Sequence, residues 1–228
     1  MMKFSLKMIV FSCALGASSL MAQGFSIEKS SIKIEREFVN PAINLAQRTY
    51  RPLTKPNVPM KWLQFLVSYK PNSSKKTPVW EDDLTVELMV LLPAKKGEGY
   101  GNVIMLTGRQ VLFSVQGDGR AHYVLFAIPP AVLRKYTSFT KYDNKEADSV
   151  FSAVVFRKGR TNQLLATGYG AMKGKTSGDI ARLFERYHKS KIGVMKLDNC
   201  LLPKEKTPWQ WIDVDLFDAP KSMMEGNK

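Results

Sequence analysis

The chain has 228 residues, 44% of them hydrophobic and 24% charged, and its 34 Lys and Arg outnumber 20 Asp and Glu for a formal net charge of +14. That length supports one well-buried core and is short for two ordinary domains. Two histidines and two cysteines argue against zinc chemistry and against a disulfide framework.

At the N-terminus, Lys3 and Lys7 flank a short basic region, and Met8 to Leu20 runs almost uninterrupted in apolar and small residues up to Ala22. The pattern is that of a signal peptide over residues 1–22, with the mature chain starting near Gln23. At roughly 1.5 Å per residue, Met8 to Ala22 is too short for the ~30 Å of a hydrocarbon core, which argues against a retained anchor. Cys13 has Phe11 where a lipoprotein signal needs a small residue, which argues against lipidation. Export to the periplasm, outer membrane or cell surface is the expectation. Cleavage leaves Cys200 as a single thiol, so the core must supply the stability; its neighbours Asn199, Leu201 and Leu202 suit a half-buried position better than a reactive one. With Lys3 and Lys7 gone the mature chain carries +12, a field that attracts acidic partners and says nothing about fold.

Period-two alternation dominates the mature chain. Ile32, Ile34 and Phe38 alternate with Lys33, Glu35 and Glu37 in a first strand. Arg51 to Pro59, with three prolines, reads as an ordered connection. Leu63, Phe65, Val67 and Tyr69 form one face of a second strand, and Leu84 to Leu92 one face of a third, ended by Pro93. Val103 to Val115 is long enough for two strands or for one bent at Gly108. Gly117-Asp118-Gly119 marks a hairpin turn into Ala121 to Ile128. Pro129-Pro130 opens a short helix to Tyr136. Val150 to Phe156 and Gln163 to Tyr169 pair across Lys158-Gly159-Arg160. Ile180, Leu183, Phe184 and Tyr187 fall on one face of an amphipathic helix capped by Ser177 or Asp179. Ile212, Val214 and Leu216 alternate with Asp213 and Asp215 in a terminal strand, and the polar tail at 220–228 has no pattern of its own. No strand–helix–strand alternation recurs. The expected fold is mostly β: one antiparallel, immunoglobulin-like sandwich over residues 23–219 with one or two short helices.

No familiar catalytic motif is present. Gly168-Tyr-Gly170-Ala-Met-Lys-Gly174-Lys175-Thr176 resembles a phosphate-binding loop, but the spacing calls for glycine at position 169, where Tyr169 stands. A glycine-rich turn is the better reading. His122 and His188 are not spaced as zinc ligands, and no glycine–x–serine–x–glycine elbow occurs. Glu81-Asp82-Asp83 reads as a solvated turn before a strand. Asp213 with Asp215 is the weak basis for a glycoside hydrolase. Catalytic, cofactor-binding and metal-ligating residues are therefore expected to be absent. Trp62, Trp80, Trp209 and Trp211 read as packing residues, or as sugar platforms where exposed.

Basic residues are unevenly placed. Arg157 to Lys196 holds ten Lys and Arg against two Asp and Glu, whereas Leu197 to Asp218 holds two against five. Arg157, Lys158, Arg160, Lys173, Lys175, Arg182, Arg186 and Lys189 are the candidates for a patch that binds an acidic partner surface or an anionic glycan. Tyr169 and Tyr187 lie nearby in sequence, and nucleic acid is the less favoured partner.

Several segments carry a family resemblance: the leader, Trp80-Glu-Asp-Asp-Leu-Thr-Val86 running into Leu91-Leu92-Pro93, the His122 strand ending in Ile128-Pro129-Pro130, and Trp209 to Phe217. Together they resemble the pilus-associated, immunoglobulin-like secreted proteins of the Akkermansia (Verrucomicrobiota) type. The resemblance implies a sandwich related to type IV pilus subunits, no enzyme activity and no site residues to carry over. Gly24-Phe25-Ser-Ile-Glu28 is similar to a prepilin cleavage site, but Lys29, Lys33, Glu35, Arg36 and Glu37 come next, where a pilin has its long apolar helix. The expected role is an accessory, non-enzymatic subunit of a pilus-like or outer-membrane-associated assembly. Its expected partners are pilus-assembly or outer-membrane proteins or further copies of itself. The alternative is an independent binder of anionic host glycans.

Overall fold

A computed structural model describes residues 24–40, 61–74, 77, 79–97, 101–170, 174–189 and 193–209. The expected leader, the proline-rich connection, Lys173, Trp211, the terminal strand with Asp213 and Asp215, and the tail lie outside these residues.

Two sheets face each other. The first has four antiparallel strands: β2 (Lys33–Val39), β3 (Trp62–Tyr69), β7 (His122–Ile128) and the short β11 (Leu202–Pro203), in the order β11-β7-β3-β2. The second has five: β5 (Trp80–Pro93), β6 (Val103–Gln116), β8 (Phe151–Arg157), β9 (Leu164–Tyr169) and β10 (Val194–Asp198), in the order β10-β6-β5-β8-β9. A two-stranded ribbon, β1 (Phe25–Ile27) on β4 (Pro71–Ser73), extends β2 and β3 beyond a bend.

The alternation explains the sandwich. Leu63, Phe65, Val67 and Tyr69 of β3 are 0% exposed and so are Leu84, Leu88 and Val90 of β5, so the two runs line opposite walls of one core. Tyr69 meets Phe156 of β8 with ring centroids 4.7 Å apart, across the gap between the sheets. A mostly β, sandwich-like chain with few helices is what the sequence leads one to expect, and that is the fold.

Several details differ. β6 is one unbroken strand, with Gly108 opposite Leu88. The glycine serves a close approach: a Cβ there would stand 2.4 Å from the Leu201 carbonyl oxygen. β10 pairs with β6 in parallel, the departure from an antiparallel layout. After β10 the chain turns at Asn199 (φ 59°), buries Leu201 and joins β7 as β11, so this segment passes from one sheet to the other and closes that edge. Glu81-Asp82-Asp83 lies within β5 and not in a turn before it, because each flank pairs with β6, Asp82 opposite Ser114 and Leu84 opposite Leu112.

Among the described residues three α-helices accompany the sheets, where the sequence suggests one or two. α1 (Pro130–Tyr136) has proline in its first turn, as expected. α2 (Asn144–Asp148) is built by side chains. Asp143 caps it by accepting from the Glu146 amide at 3.0 Å, and the Glu146 carboxylate accepts from the amides of Thr140, Lys141 and Tyr142. α3 (Ser177–Lys189) begins one residue after Thr176, which shares reciprocal bonds with Asp179: the Asp179 amide donates to Thr176 Oγ1, and the Thr176 amide to Asp179 Oδ2. Thr176 therefore stands where the sequence suggests a cap from Ser177 or Asp179. Ile180 and Phe184 of α3 pack on Leu91, Met105 and Ala153, on the outer face of the five-stranded sheet.

Candidate interaction surface

Three large apolar side chains stay exposed among the described residues: Trp80 (57%), Leu164 (53%) and Phe113 (46%). All three come from one end of the five-stranded sheet. Trp80 opens β5 opposite Gln116, Phe113 lies between Leu112 and Ser114 on β6, and Leu164 opens β9 opposite Arg157, itself paired with Thr85.

Two local distortions lie at this end. Asp83, the fourth residue of β5, takes a left-handed conformation (φ 58°), which breaks the alternation there and across from it on β6, and the β8–β9 register shifts between Phe156 and Arg157, next to Leu164. The turn between β8 and β9 presses against this kink, since a Cβ on Gly159 would come 2.1 Å from the Asp83 carbonyl oxygen. Only glycine fits that approach. The acidic segment of β5 and the basic turn are thus held side by side.

Their charges pair. Lys158 Nζ stands 3.8 Å from Glu81, both mostly shielded, and Arg160 Nη2 stands 3.9 Å from Asp82 in the open. Asp82 Oδ1 also accepts from Ser114 Oγ at 2.8 Å. Burial pushes the Glu81 carboxyl above its ordinary range, with Lys158 pulling the other way and Asp82 adding to the rise. Arg157 reaches the Asn162 carbonyl at 3.5 Å and so braces the turn.

The eight candidate cations do not form one patch. Arg157, Lys158 and Arg160 occupy the β8–β9 turn. Lys175, Arg182, Arg186 and Lys189 lie beside or on α3, which packs near Phe151 and Tyr169 at the opposite end of the same hairpin. Phe151 and Arg157 are the two ends of β8, about 20 Å apart at ~3.3 Å per residue. Arg182 pairs with Asp179 at 2.9 Å and Lys189 with Glu185 at 2.6 Å, both within α3. Lys173 lies outside the described residues. Tyr169 and Tyr187 are half-buried against the Ile180 and Phe184 cluster and offer no open ring platform.

The glycine run has a packing role. A Cβ on Gly168 would fall 2.2 Å from Ile32 Cγ2, and one on Gly170 would fall 2.1 Å from Ser152 Oγ and 2.9 Å from Arg36 Nη1. These two glycines let β9 close against β2 at the sandwich edge, a role unrelated to phosphate. Trp209 packs edge-on against Trp62 at 5.5 Å, as a packing residue would. Burial, and then the Asp198 charge, pushes the Cys200 thiol up, which suits an inert half-buried cysteine. Among the described residues no three His, Cys, Asp or Glu gather as a metal site.

The exposed apolar trio was not legible as a cluster, because its members come from three separate strands. No period marks Phe113, since Ile104 to Leu112 reads Ile-Met-Leu-Thr-Gly-Arg-Gln-Val-Leu without alternation of apolar and polar residues.

A protein-family model matches residues 37–223 of the chain. A search of curated proteins returns no match. Among solved structures, a crystal structure of a protein from Akkermansia muciniphila matches with a TM-score of 0.57 and 17% identity, over 86% of this chain and 92% of that one. At that identity the likeness is one of fold.

Proposed function

The chain belongs to the family whose model spans residues 37–223, and from that premise we propose a non-enzymatic accessory subunit of a type IV pilus-like or outer-membrane-associated assembly. The observation that carries the reading is the exposed Trp80, Phe113 and Leu164 beside Arg157 and Arg160. Scattered surface hydrophobes are ordinary. Here two aromatics and a leucine are exposed along one end of a sheet, a rim that also carries arginines, the residue types that anchor protein interfaces. The export signal expected at residues 1–22 and the family resemblance support placing the partner in the cell envelope.

A single anionic-glycan track over the eight cations has less support, because the fold divides them between two ends of a hairpin.

The test is a photo-crosslinking residue at position 113 of the full chain in its source cells. The expected adduct is another envelope protein or a second copy, lost when Trp80→Ser and Leu164→Ser are added. Equal labelling from a crosslinker at Glu35, on the other sheet, would refute the docking rim.

A further inference from the structure

A second feature lies on the outer face of the four-stranded sheet, away from the rim. Lys33 of β2, Ser68 of β3 and Tyr123 of β7 stand in one row, since Lys33 pairs with Ser68 and Ser68 with Tyr123. Lys70, the residue between β3 and β4, lines the same cleft. The chain between β1 and β2 forms a 3-10 turn (Lys29–Ser31) that rises as a wall beside this row. A cleft of about 320 Å³ results, lined by these residues together with Glu28, Ser30 and Ser31. That volume is at the small end of ligand sites, ~300–1,000 Å³, room for one sugar unit.

The wall is built of spent hydrogen bonds. Ser31 Oγ donates to the Glu28 carbonyl at 2.7 Å and accepts from the Lys70 amide at 2.9 Å, while Ser30 Oγ donates to the Glu28 carboxylate. The Glu28 amide donates to the Lys70 carbonyl at 3.2 Å, which fixes the wall to the chain between β3 and β4. The side chains facing the cleft are the opposite case. Lys33, Lys70, Ser68 and Tyr123 make no side-chain hydrogen bond or ion pair among the described residues. Two ammonium groups, a hydroxyl and a phenol ring thus line a rigid concavity with free donors, and one carboxylate acceptor stands at its wall.

We propose that this cleft binds a single acidic sugar residue. Lys33 and Lys70 take the carboxylate or sulfate, the Tyr123 ring packs on the apolar face of the pyranose, and Glu28 accepts from a ring hydroxyl. The mixed polarity sets the ligand class. A small inorganic anion would offer no pyranose face to Tyr123 and would bring a second negative charge against Glu28 with no ring hydroxyl to bridge the two, and a neutral sugar would leave both ammonium groups unused. The proposal is independent of the docking rim and would hold if that reading failed.

The test is NMR titration of the full mature chain, in low salt, with N-acetylneuraminic acid, 6-sulfated N-acetylglucosamine, plain N-acetylglucosamine and inorganic phosphate. The two acidic sugars should saturate shifts at the Ser68, Lys70 and Tyr123 amides, with phosphate and the neutral sugar producing far smaller ones. Lys70→Gln should weaken binding about tenfold, the loss of roughly one charge-assisted contact. Tyr123→Ala, which keeps both charges, should weaken it as well. Arg160→Glu, on the other sheet, should leave it unchanged. Equal shifts with phosphate would reduce the cleft to a plain anion site, equal shifts with the neutral sugar would remove the role of the lysines, and no saturation at these amides would remove the site. Each of those results overturns the proposal.

Discussion

Gly168→Ala is the substitution that decides what the glycine run is for. The new Cβ would stand 2.2 Å from Ile32 Cγ2 and 2.9 Å from Ile32 Cβ. Carbon atoms rest at about 3.5–4.0 Å, so one of the two must move by more than about 1 Å. Neither is free to. Gly168 is hydrogen-bonded into β9 opposite Val154, and Ile32 sits between the 3-10 turn and β2, only 9% exposed. The cost should therefore fall near the upper end of core overpacking, about 3 kcal/mol. For a domain of this size that is a melting point lowered by about 6–12 °C. Ile32→Ala alone should cost about 2–3 kcal/mol through the lost side chain and the space it leaves. The double variant is the sharper measurement. Truncating Ile32 removes the 2.2 Å clash and leaves the milder one, so the pair should be less destabilised than the sum of the singles by about 1–2 kcal/mol. Urea unfolding of the four proteins of the cycle, monitored by tryptophan fluorescence, gives each value. Strict additivity would refute the packing account. So would a Gly168→Ala protein of unchanged stability, and a nucleotide-dependent rise in melting point lost in that variant would restore the phosphate reading.

The same structure sets four further outcomes. Asp179 is held at about 2 by the Thr176 amide and hydroxyl and by Arg182; a carboxyl depressed on folding stabilises above its unfolded value and loses that contribution as pH falls, so the protection factors of the α3 amides, the intrinsic exchange rate at each pH over the observed one, should fall between about pH 4 and pH 2 and stay level there in Asp179→Asn. Glu146→Ala strips the acceptor from the amides of Thr140, Lys141 and Tyr142 and should cost about 2–3 kcal/mol, read by chemical denaturation, whereas Lys145→Ala should cost little. Cys200, its thiol pushed up by burial and by Asp198, should alkylate more slowly at neutral pH than a free thiol and faster in Asp198→Asn. Trp80→Ser, Phe113→Ser and Leu164→Ser should each change stability by no more than about 0.5 kcal/mol, since these side chains are exposed; a large loss would mean that the rim is part of the core.

Strands whose alternate residues reach the core were readable from sequence, and β3, β7 and β5 from Leu84 onward are of that kind. β10 was not. Its Val194, Met195 and Leu197 are only half-buried, Lys196 and Asp198 are exposed, and its partner β6 lies far earlier in the chain and runs parallel. Three-residue strands such as β1 and β4 are too short for a period to register. α2 is five residues long and depends on Asp143 and Glu146, whose spacing is that of a capping pair, so the signal was present without a hydrophobic period to draw attention to it. Asp tolerates the left-handed conformation at position 83 better than most residues, but that tolerance alone does not place the kink there. It forms where the β8–β9 turn must approach β5, a tertiary requirement that a linear reading cannot weigh.

The same limit governs charge. Summed along the chain, residues 157–196 carry an excess of eight positive charges. In the fold, Arg157, Lys158 and Arg160 stand beside Glu81, Asp82 and Asp83, three cations against three carboxylates drawn from a distant segment. That end of the sheet is close to neutral. The α3 cations are about 20 Å away along β8, beyond the Debye length of about 8 Å at physiological salt, so they do not reinforce it. The attraction of the rim must therefore come from Trp80, Phe113 and Leu164, with the ion pairs setting orientation. Docking there should change little between low and high salt. Binding in the cleft beneath Lys33 and Lys70, where the nearby carboxylate is already engaged by Ser30, should fall steeply over the same range. The salt response thus separates the two surfaces without a substitution at either.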